Sequence, residues 1–265
     1  MKMENTNLKF DYFSRVGISA TLLKSIIKQS PVHAATRMRT FKPSPTMNLG
    51  TAAHCAILEP HRYNELIAIC PDCDRRTKTG KAEYASFVES AGKKTVIKFD
   101  QHEAVIAMAN AVDEHEHATE LMQDTKREVE IDFAFDGETC KAKIDAVKGD
   151  NTIIDIKTTI DASPDAFARQ SASLFYQMQM AWYAKAIGSS WKTCNCYVIA
   201  VENTEPYGVA VYRYDVDVLD NGWKLCCRAL RQWRDYNATI SKNETPKAYG
   251  DCVYDIELPA WAERV

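Results

Sequence analysis

Asp145, Asp155 and Lys157 are the residues of this chain whose types and spacing best fit chemistry on a phosphate group. The segments that hold them alternate or are rich in β-branched residues, which predicts two strands joined by a turn at 148–151. Alternate side chains of a strand share a face, so Asp155 and Lys157 point to one side and the isoleucines beside them to the other. Closure of the hairpin brings Asp145 towards Asp155. The sequence therefore predicts two carboxylates and one ammonium group at one end of a sheet.

Such a set can hold a divalent metal ion against a phosphate. Mg²⁺ is usually bound by one or two carboxylates together with phosphate oxygens, and it lowers the pKa of a bound water. A nearby lysine can stabilise the charge that develops on the phosphate. An isolated Asp-x-Lys sequence is more often part of an ordinary surface hairpin, so the prediction depends on the rest of the chain.

Composition limits the class of protein. The chain has 265 residues, is 46% hydrophobic and carries a formal net charge of −3, so a nucleic-acid partner would need a local basic surface. No apolar run is long enough for a membrane span, the N-terminus lacks a signal-peptide core, and the nine cysteines are most simply reduced thiols. We expect a cytoplasmic protein with no membrane partner and a single domain over 1–265.

Periodicity and turn residues predict the elements that position these groups. A helix capped by Ser19 follows a loose lead over 1–16, and 34–47 and 70–81 are expected to be a basic and a polar loop. Helices are predicted at 20–28, 50–60, 81–92, 101–123, 172–187 and 216–241, and strands at 127–135, 140–147, 152–157, 193–201 and 207–214, before a tail over 243–265.

Other polar residues join the candidate site only if the fold brings them there. His54 lies in a helix of small residues, where a histidine is more often part of the core than a ligand. The loop residues Arg75, Arg76 and Lys78 are either solvated or form a clamp on a phosphate, because arginine forks bind phosphate oxygens in pairs.

Two further segments leave alternatives open. Tyr176, Gln179 and Tyr183 share one helix face, which is either an aromatic core stripe, the commoner case, or a face that touches a polar partner. One strand presents Glu128, Glu130 and Asp132 on one face, and one of these carboxylates could join the site.

The cysteines do not predict a metal cluster. Cys70-x-x-Cys73 would be half of a zinc site, but the remaining cysteines have the wrong spacing for the other half, and only Cys252 lies near the C-terminus where an iron–sulfur cluster would need a tight group.

The order of these elements resembles the PD-(D/E)XK nuclease superfamily, and within it the RecB-like and RecE-type (exonuclease VIII) exonucleases of phages and prophages. Gly50-Thr-Ala-Ala-His54 resembles the G-x-x-x-H element, and Ile144-Asp145 resembles the P-D motif with isoleucine in place of proline. Asp155-Ile-Lys157-Thr-Thr resembles D-x-K-T, and Gln179-Met-Ala-Trp-Tyr183 resembles the Q-x-x-x-Y helix. The resemblance covers roughly 18–240 and implies an α/β (α+β) fold with a restriction-endonuclease-like core, a central mixed β-sheet of about five strands flanked by helices.

The resemblance also implies roles for the residues. Asp145, Asp155, the carbonyl of Ile156 and His54 would hold Mg²⁺, with Mn²⁺ as a substitute, and Lys157 would orient the attacking water. His54 counts among the catalytic residues for its place beside the metal. The DNA-binding residues would be Gln179, Tyr183 and Tyr176 along the strand, and Arg75, Arg76 and Lys78 on the phosphates.

The implied activity is Mg²⁺-dependent digestion of double-stranded DNA from its ends, 5′ to 3′, which yields single strands for recombination by annealing. The implied partners are DNA ends, further copies of the chain in a ring-shaped homo-oligomer, and a single-strand annealing protein in the bacterial cytoplasm. Two alternatives remain: an iron–sulfur or other RecB-like nuclease, and a catalytically inactive DNA-binding protein of the same fold.

Overall fold

The computed structural model describes residues 12, 15–74 and 76–258. Its helices are α1 Ala20–Lys28, α2 Pro31–Thr40, α3 Pro45–Leu58, α4 Tyr63–Leu66, α5 Lys78–Ala91, α6 Phe99–Glu114, α7 Glu116–Met122, α8 Pro164–Ser173, α9 Tyr176–Ala186 and α10 Val216–Ser241. Its strands are β1 Ile67–Cys70, β2 Thr95–Lys98, β3 Thr125–Phe135, β4 Glu138–Lys148, β5 Thr152–Thr159, β6 Asn195–Glu202 and β7 Val209–Tyr214.

Strands β3 to β7 form one five-stranded sheet in chain order. Neighbours pair antiparallel except β5 and β6, which are parallel, so the sheet is mixed. The predicted mixed sheet of about five strands, and the hairpin that joins Asp145 to Asp155, are confirmed. Strands β1 and β2 form a separate parallel pair that the periodicity did not predict.

Helices cover both faces of the five-stranded sheet. One face packs on α1, α9 and α10 through buried residues such as Leu23, Trp182 and Leu230. The other packs on α3 and α6, and Ile154 and Ile156 of β5 are fully buried in that layer. Burial of an isoleucine side chain contributes about 1.5–3 kcal/mol, so the two isoleucines hold β5 with Asp155 and Lys157 towards α9.

The sheet opens where the candidate site lies. Pairing of β4 with β5 runs from Lys148–Thr152 to Ala146–Ile154, so Asp145 and Asp155 lie just past the last pair. On the other side of β4, Glu128 has a left-handed φ of 52°, between the paired residues Arg127 and Val129. The strands therefore separate around Asp145 and leave its carboxylate free to contact other groups.

The prediction of a basic loop at 34–47 is wrong, and α3 begins before Gly50. Ser30 and Ser44 cap α2 and α3, and each is followed by a proline in the first helical turn. Proline is favoured there because the first N–H groups of a helix have no internal partner. Ser-Pro therefore begins a helix in both places.

The helix predicted over 172–187 is divided into α8 and α9. Phe175, which precedes α9, has a left-handed φ of 55°, a conformation that costs a non-glycine residue roughly 1–2 kcal/mol. Its aromatic side chain packs against the buried layer formed with α9 and α10. The break sets the direction of α9, which brings Gln179 over β5.

The ends of the chain fall partly outside the described residues. The predicted lead over 1–16 is not loose at Tyr12, which is buried, or at Arg15, which pairs with Glu130 and Asp132. The Nζ of Lys141 donates to the backbone oxygens of both residues, at 2.9 and 2.6 Å. The described part of the tail, 243–258, has no regular structure and is largely exposed. None of the helices in the described part is long and apolar enough to cross a membrane.

Candidate active site

Asp155 lies at the centre of the candidate site and is 1% exposed. Its Oδ2 forms an ion pair with the Nζ of Lys157, two residues along the same strand face. Its Oδ1 accepts a hydrogen bond of 2.9 Å from the Nε2 of Gln179 on α9. Lys157 and Asp155 share a face as the alternation predicted, and the helix over that face contributes the amide.

Asp145 reaches the same place from β4. Its Oδ2 accepts a hydrogen bond of 2.7 Å from the backbone N–H of Ile156, and the Nδ1 of His54 lies 3.4 Å from the same oxygen. His54 projects from α3, which packs on the opposite layer of the sheet. The structure thus brings together Asp145, Asp155, Lys157 and His54, which the sequence had placed on three separate elements.

The two carboxyl groups differ in acidity. Burial raises the pKa of Asp155, and Asp145 raises it further, which outweighs the ammonium of Lys157. Burial also acts to raise the pKa of Asp145, but the attraction of His54 and Lys157 and the Ile156 N–H leave that pKa below its ordinary value. Asp145 is therefore the carboxyl group more firmly held as an anion.

Lys157 and His54 hold their protons more tightly than usual. Burial alone would lower the pKa of Lys157, but Asp155 and Asp145 raise it above the ordinary value. Burial likewise opposes the proton on His54, and Asp145 more than offsets this, so the pKa of His54 is raised. Lys157 is thus an ammonium group at neutral pH and can donate hydrogen bonds rather than accept a proton.

The helix residues predicted to share a face do so, and they contact the site. Gln179 is half-buried, and its Nε2 also lies 2.9 Å from the hydroxyl oxygen of Tyr183. The Nζ of Lys157 lies 5.1 Å from the ring centre of Tyr176. Tyr176 and Tyr183 are each 8% exposed. This helix face has features of both interpretations of its sequence. The two tyrosines are buried in the core, and the glutamine donates a hydrogen bond to a carboxylate of the site.

Lys24 of α1 was not among the predicted site residues. Its Nζ donates a hydrogen bond of 2.7 Å to the Oε1 of Gln179 and lies 5.7 Å from the ring centre of Tyr176. Burial and the nearby Lys157 lower the pKa of Lys24 to about 8. The only signal in the sequence is that Lys24 lies beside the apolar stripe of α1. That signal cannot reveal that its partner is Gln179, 155 positions further along the chain.

Among the acidic residues of β3, the contacts single out Glu128. Glu128 forms an ion pair with Lys143, and its raised pKa reflects burial first and, among other charges, that of Asp145. Glu130 and Asp132 both bind Arg15. Asp145 thus acts electrostatically on Glu128, whereas the other two acids are paired with Arg15.

Of the predicted phosphate clamp, Arg76 and Lys78 lie just before and at the start of α5, not on the strands that carry the carboxylates. The guanidinium group of Arg76 is exposed and binds Asp74 at 3.0 Å. Lys78 begins α5, which packs on the small parallel pair β1 and β2. Arg75 lies outside the described residues. The role of these residues in binding DNA stays a prediction.

The chemistry of the donor set fits a divalent cation. Among the described residues there is no cluster of three or more His, Cys, Asp or Glu side chains with the geometry of a metal site. Mg²⁺ does not need one, because it is usually held by one or two carboxylates and completes its coordination with waters and substrate phosphates. In addition, Oδ2 of Asp155 is buried, and its charged partner is the Nζ of Lys157.

A mixed five-stranded sheet with helices on both faces and an Asp…Asp-x-Lys set at its open hairpin defines a PDDEXK-like fold. The chain belongs to the family described as a PDDEXK-like domain of unknown function (DUF3799), which matches it over residues 19–257.

A solved structure shares the fold of this chain. The crystal structure of a protein from Eubacterium rectale, described as a "Putative exonuclease", has a TM-score of 0.59 and 11% identity, and the match covers 100% of this chain and 98% of that one. At this identity the match shows a common fold. An alkaline exonuclease from Laribacter hongkongensis matches with a TM-score of 0.34 and 13% identity over 72% of this chain and 91% of its own, which does not by itself establish a shared fold. No curated protein matches the chain significantly in sequence.

Proposed function

We propose that this protein is a metal-dependent exodeoxyribonuclease that hydrolyses phosphodiester bonds from the ends of double-stranded DNA. The observation that carries the proposal is the convergence of Asp145, Asp155 and Lys157 in one buried cluster where β4 and β5 separate. The family places the chain among PDDEXK-like domains. The structural relative from Eubacterium rectale supports exonuclease activity only through its description.

Each residue of the cluster has a part in this reaction. Lys157, as an ammonium group, donates to the attacking water or to the phosphate oxygens on which negative charge develops. Gln179 holds Asp155 in one orientation through its 2.9 Å hydrogen bond. Asp145 keeps its carboxylate ionised between His54 and the Ile156 N–H. In hydrolysis a new bond forms between the water oxygen and phosphorus, the bond to the leaving oxygen breaks, and that oxygen takes up a proton.

We propose that Asp145, Asp155, the carbonyl oxygen of Ile156 and the imidazole of His54 would hold Mg²⁺, for which Mn²⁺ can substitute. When bound, such an ion lowers the pKa of a water ligand and offsets charge on the phosphate. The proposal is supported by the two buried carboxylates.

The finer features of the proposal come from the resemblance. They are 5′ to 3′ direction, a ring-shaped homo-oligomer around the DNA, and a single-strand annealing protein as partner in recombination. Gln179, Tyr176 and Tyr183 would meet the strand near the cluster, and Arg76, Lys78 and Arg75 would bind DNA phosphates. Arg76 would have to exchange its contact with Asp74 for a phosphate.

The test is incubation of the purified protein with linear and with covalently closed circular duplex DNA, in Mg²⁺ or in EDTA. We expect the linear DNA to be degraded in Mg²⁺ only and the circle to survive. Degradation of the circle would contradict end dependence, and equal degradation in EDTA would remove the metal from the proposal.

A matched pair of variants tests the site itself. Asp155→Asn should lose activity by at least about 10²-fold, whereas Asp150→Asn should behave as the wild type because Asp150 lies exposed in the turn of the same hairpin. Retention of full activity in Asp155→Asn would exclude this cluster as the active site. An inactive wild type that still binds DNA would support the alternative of a catalytically inactive binding protein.

The iron–sulfur alternative has its own measurement. None of the nine cysteines, all within the described residues, forms a disulfide, and they lie on several elements, with Cys70 on β1, Cys196 on β6 and Cys226 on α10. A protein purified without oxygen that shows an absorbance band near ~400 nm, from thiolate-ligated iron, would favour that alternative.

A further inference from the structure

Lys24 and Gln179 form a contact that the proposed function does not yet use. The side-chain amide of Gln179 has two ends, an oxygen that accepts and a nitrogen that donates. In the structure the oxygen faces the Nζ of Lys24 at 2.7 Å, and the nitrogen faces Oδ1 of Asp155 at 2.9 Å. Exchange of the two ends would point the amide oxygen at the carboxylate and the amide nitrogen at the ammonium group. Both contacts would then be repulsive.

We propose that Lys24 is a positioning residue, which fixes the orientation of the Gln179 amide and through it the carboxylate of Asp155. This inference rests on the proposed function, because Asp155 matters here as a residue of the hydrolytic cluster. Within the described part of the chain, Lys24 forms no hydrogen bond or ion pair with either carboxylate of the cluster, and its contact with the cluster is made through the glutamine.

In the part of the chain that the structure describes, the hydrogen bond to Gln179 is the principal polar contact of Lys24. Among the described residues its ammonium group has no carboxylate within ion-pair distance. The ring of Tyr176 lies on another side, with the Nζ of Lys24 at 5.7 Å and the Nζ of Lys157 at 5.1 Å from the ring centre. A lysine placed only for solubility would extend its ammonium group into water, whereas this one is directed at the amide oxygen.

The hydroxyl of Tyr183 does not set the orientation by itself. It lies 2.9 Å from Nε2 of Gln179, but a hydroxyl both donates and accepts and would therefore tolerate either end of the amide. Lys24 only donates and an ionised Asp155 only accepts, so these two residues together select one orientation. If Lys24 is removed, Asp155 alone must hold the amide.

The test is a double-mutant cycle with Lys24→Met and Gln179→Met, which keep side-chain length and remove the polar groups. Since a hydrogen bond to a charged group is lost in either variant, we expect each to lower kcat about tenfold, and we expect Lys24→Met to change the KM for DNA little. The double variant should be no worse than Gln179→Met alone if the effect of Lys24 on the rate passes through the glutamine. Lys24→Arg should recover part of the rate, and Lys28→Met, one helical turn away and exposed, should behave as the wild type.

Independent effects would overturn the proposal. If the two losses multiply to about a hundredfold, Lys24 does not act through Gln179. If Lys24→Met instead raises the KM and reduces the salt dependence of DNA binding, Lys24 is a direct phosphate contact.

A second readout does not require nuclease activity. In protein labelled with ¹⁵N in glutamine side chains, the Gln179 amide signals are identified by their loss in Gln179→Met. We expect one well-resolved pair that exchanges slowly with water in the wild type and in Lys24→Arg, and that shifts and exchanges faster in Lys24→Met. An unchanged pair in Lys24→Met would overturn the positioning role even if the enzyme is active, whereas an inactive wild type with the expected spectra would refute only the proposed function.

Discussion

The carboxylate of Asp145 accepts a hydrogen bond of 2.7 Å from the backbone N–H of Ile156, just past the last backbone pair between β4 and β5. A side chain therefore satisfies a strand N–H that would otherwise need another partner. Ile156 is fully buried, so water does not offer an easy substitute. One residue thus helps to close the hairpin and presents a carboxylate to the site.

This double role predicts different results for two substitutions of Asp145. Asp145→Asn keeps an oxygen that can accept from Ile156, so the protein should fold but lose activity by at least about 10²-fold. Asp145→Ala leaves the N–H unsatisfied and should also lower the free energy of unfolding by about 1–3 kcal/mol. Urea denaturation and a nuclease assay of both variants measure the two effects. Equal stability of the asparagine and alanine variants would show that the hydrogen bond does not support the fold.

The packing of α10 on α9 predicts a second effect. A Cβ added at Gly222 would lie 2.3 Å from the backbone oxygen of Gln177, two residues before Gln179. Gly222→Ala must therefore move one helix, which should cost about 1–3 kcal/mol and lower activity by displacing Gln179.

The matched control is the glycine within α3. A Cβ at Gly50 would make an ordinary contact of 3.6 Å with Thr158, so Gly50→Ala should be neutral or stabilise the helix by about 0.5–1 kcal/mol. Thermal unfolding compares the two variants. A Gly222→Ala protein as stable as the wild type would mean that the two helices are packed less closely than the structure shows.

Lys24 should titrate well below the ordinary pKa of a lysine side chain. Burial and Lys157 lower its pKa from 10.5 to about 8. Below about pH 8, Lys24 is protonated in both the folded and the unfolded chain. Its contribution to the free energy of unfolding therefore does not change with pH in that range. Between about 8 and 10.5 the folded protein loses the proton first, and the free energy of unfolding should rise relative to that of Lys24→Met. The titration is followed by NMR of ¹³Cε-labelled lysine, with the signal assigned through the variant, and a midpoint near 10.5 would contradict the prediction.

Glu128 should matter less than the two aspartates. Its carboxylate forms an ion pair with Lys143, so its charge is already balanced by a group of the protein. We expect Glu128→Gln to keep activity within about tenfold and to lose about 1 kcal/mol of stability or less, the usual range for a partly exposed ion pair. Kinetics and urea denaturation, with Lys143→Met as the companion variant, test this. Loss of activity as large as in Asp155→Asn would instead place Glu128 among the residues that hold the metal.

Much of the site was predictable because it depends on local periodicity. Alternation along 152–159 is enough to put Asp155 and Lys157 on one face of a strand, and the turn before it brings Asp145 near. The 216–241 helix and the Ser19 cap of α1 were likewise predicted and are confirmed. In each of these segments, the residues that decide the structure lie within a few positions of one another.

The remaining features depend on contacts between distant parts of the chain. Ser44-Pro45 is compatible with a loop or with a helix start, and packing of α3 under the sheet selects the helix. The left-handed Phe175 interrupts a sequence with strong helical periodicity because its side chain packs in the core. Lys24 meets Gln179 across 155 positions. The sequence by itself determined which residues can do the chemistry and which face they share. Only the tertiary structure decided how their charges and hydrogen bonds are oriented, because those depend on partners that no local pattern specifies.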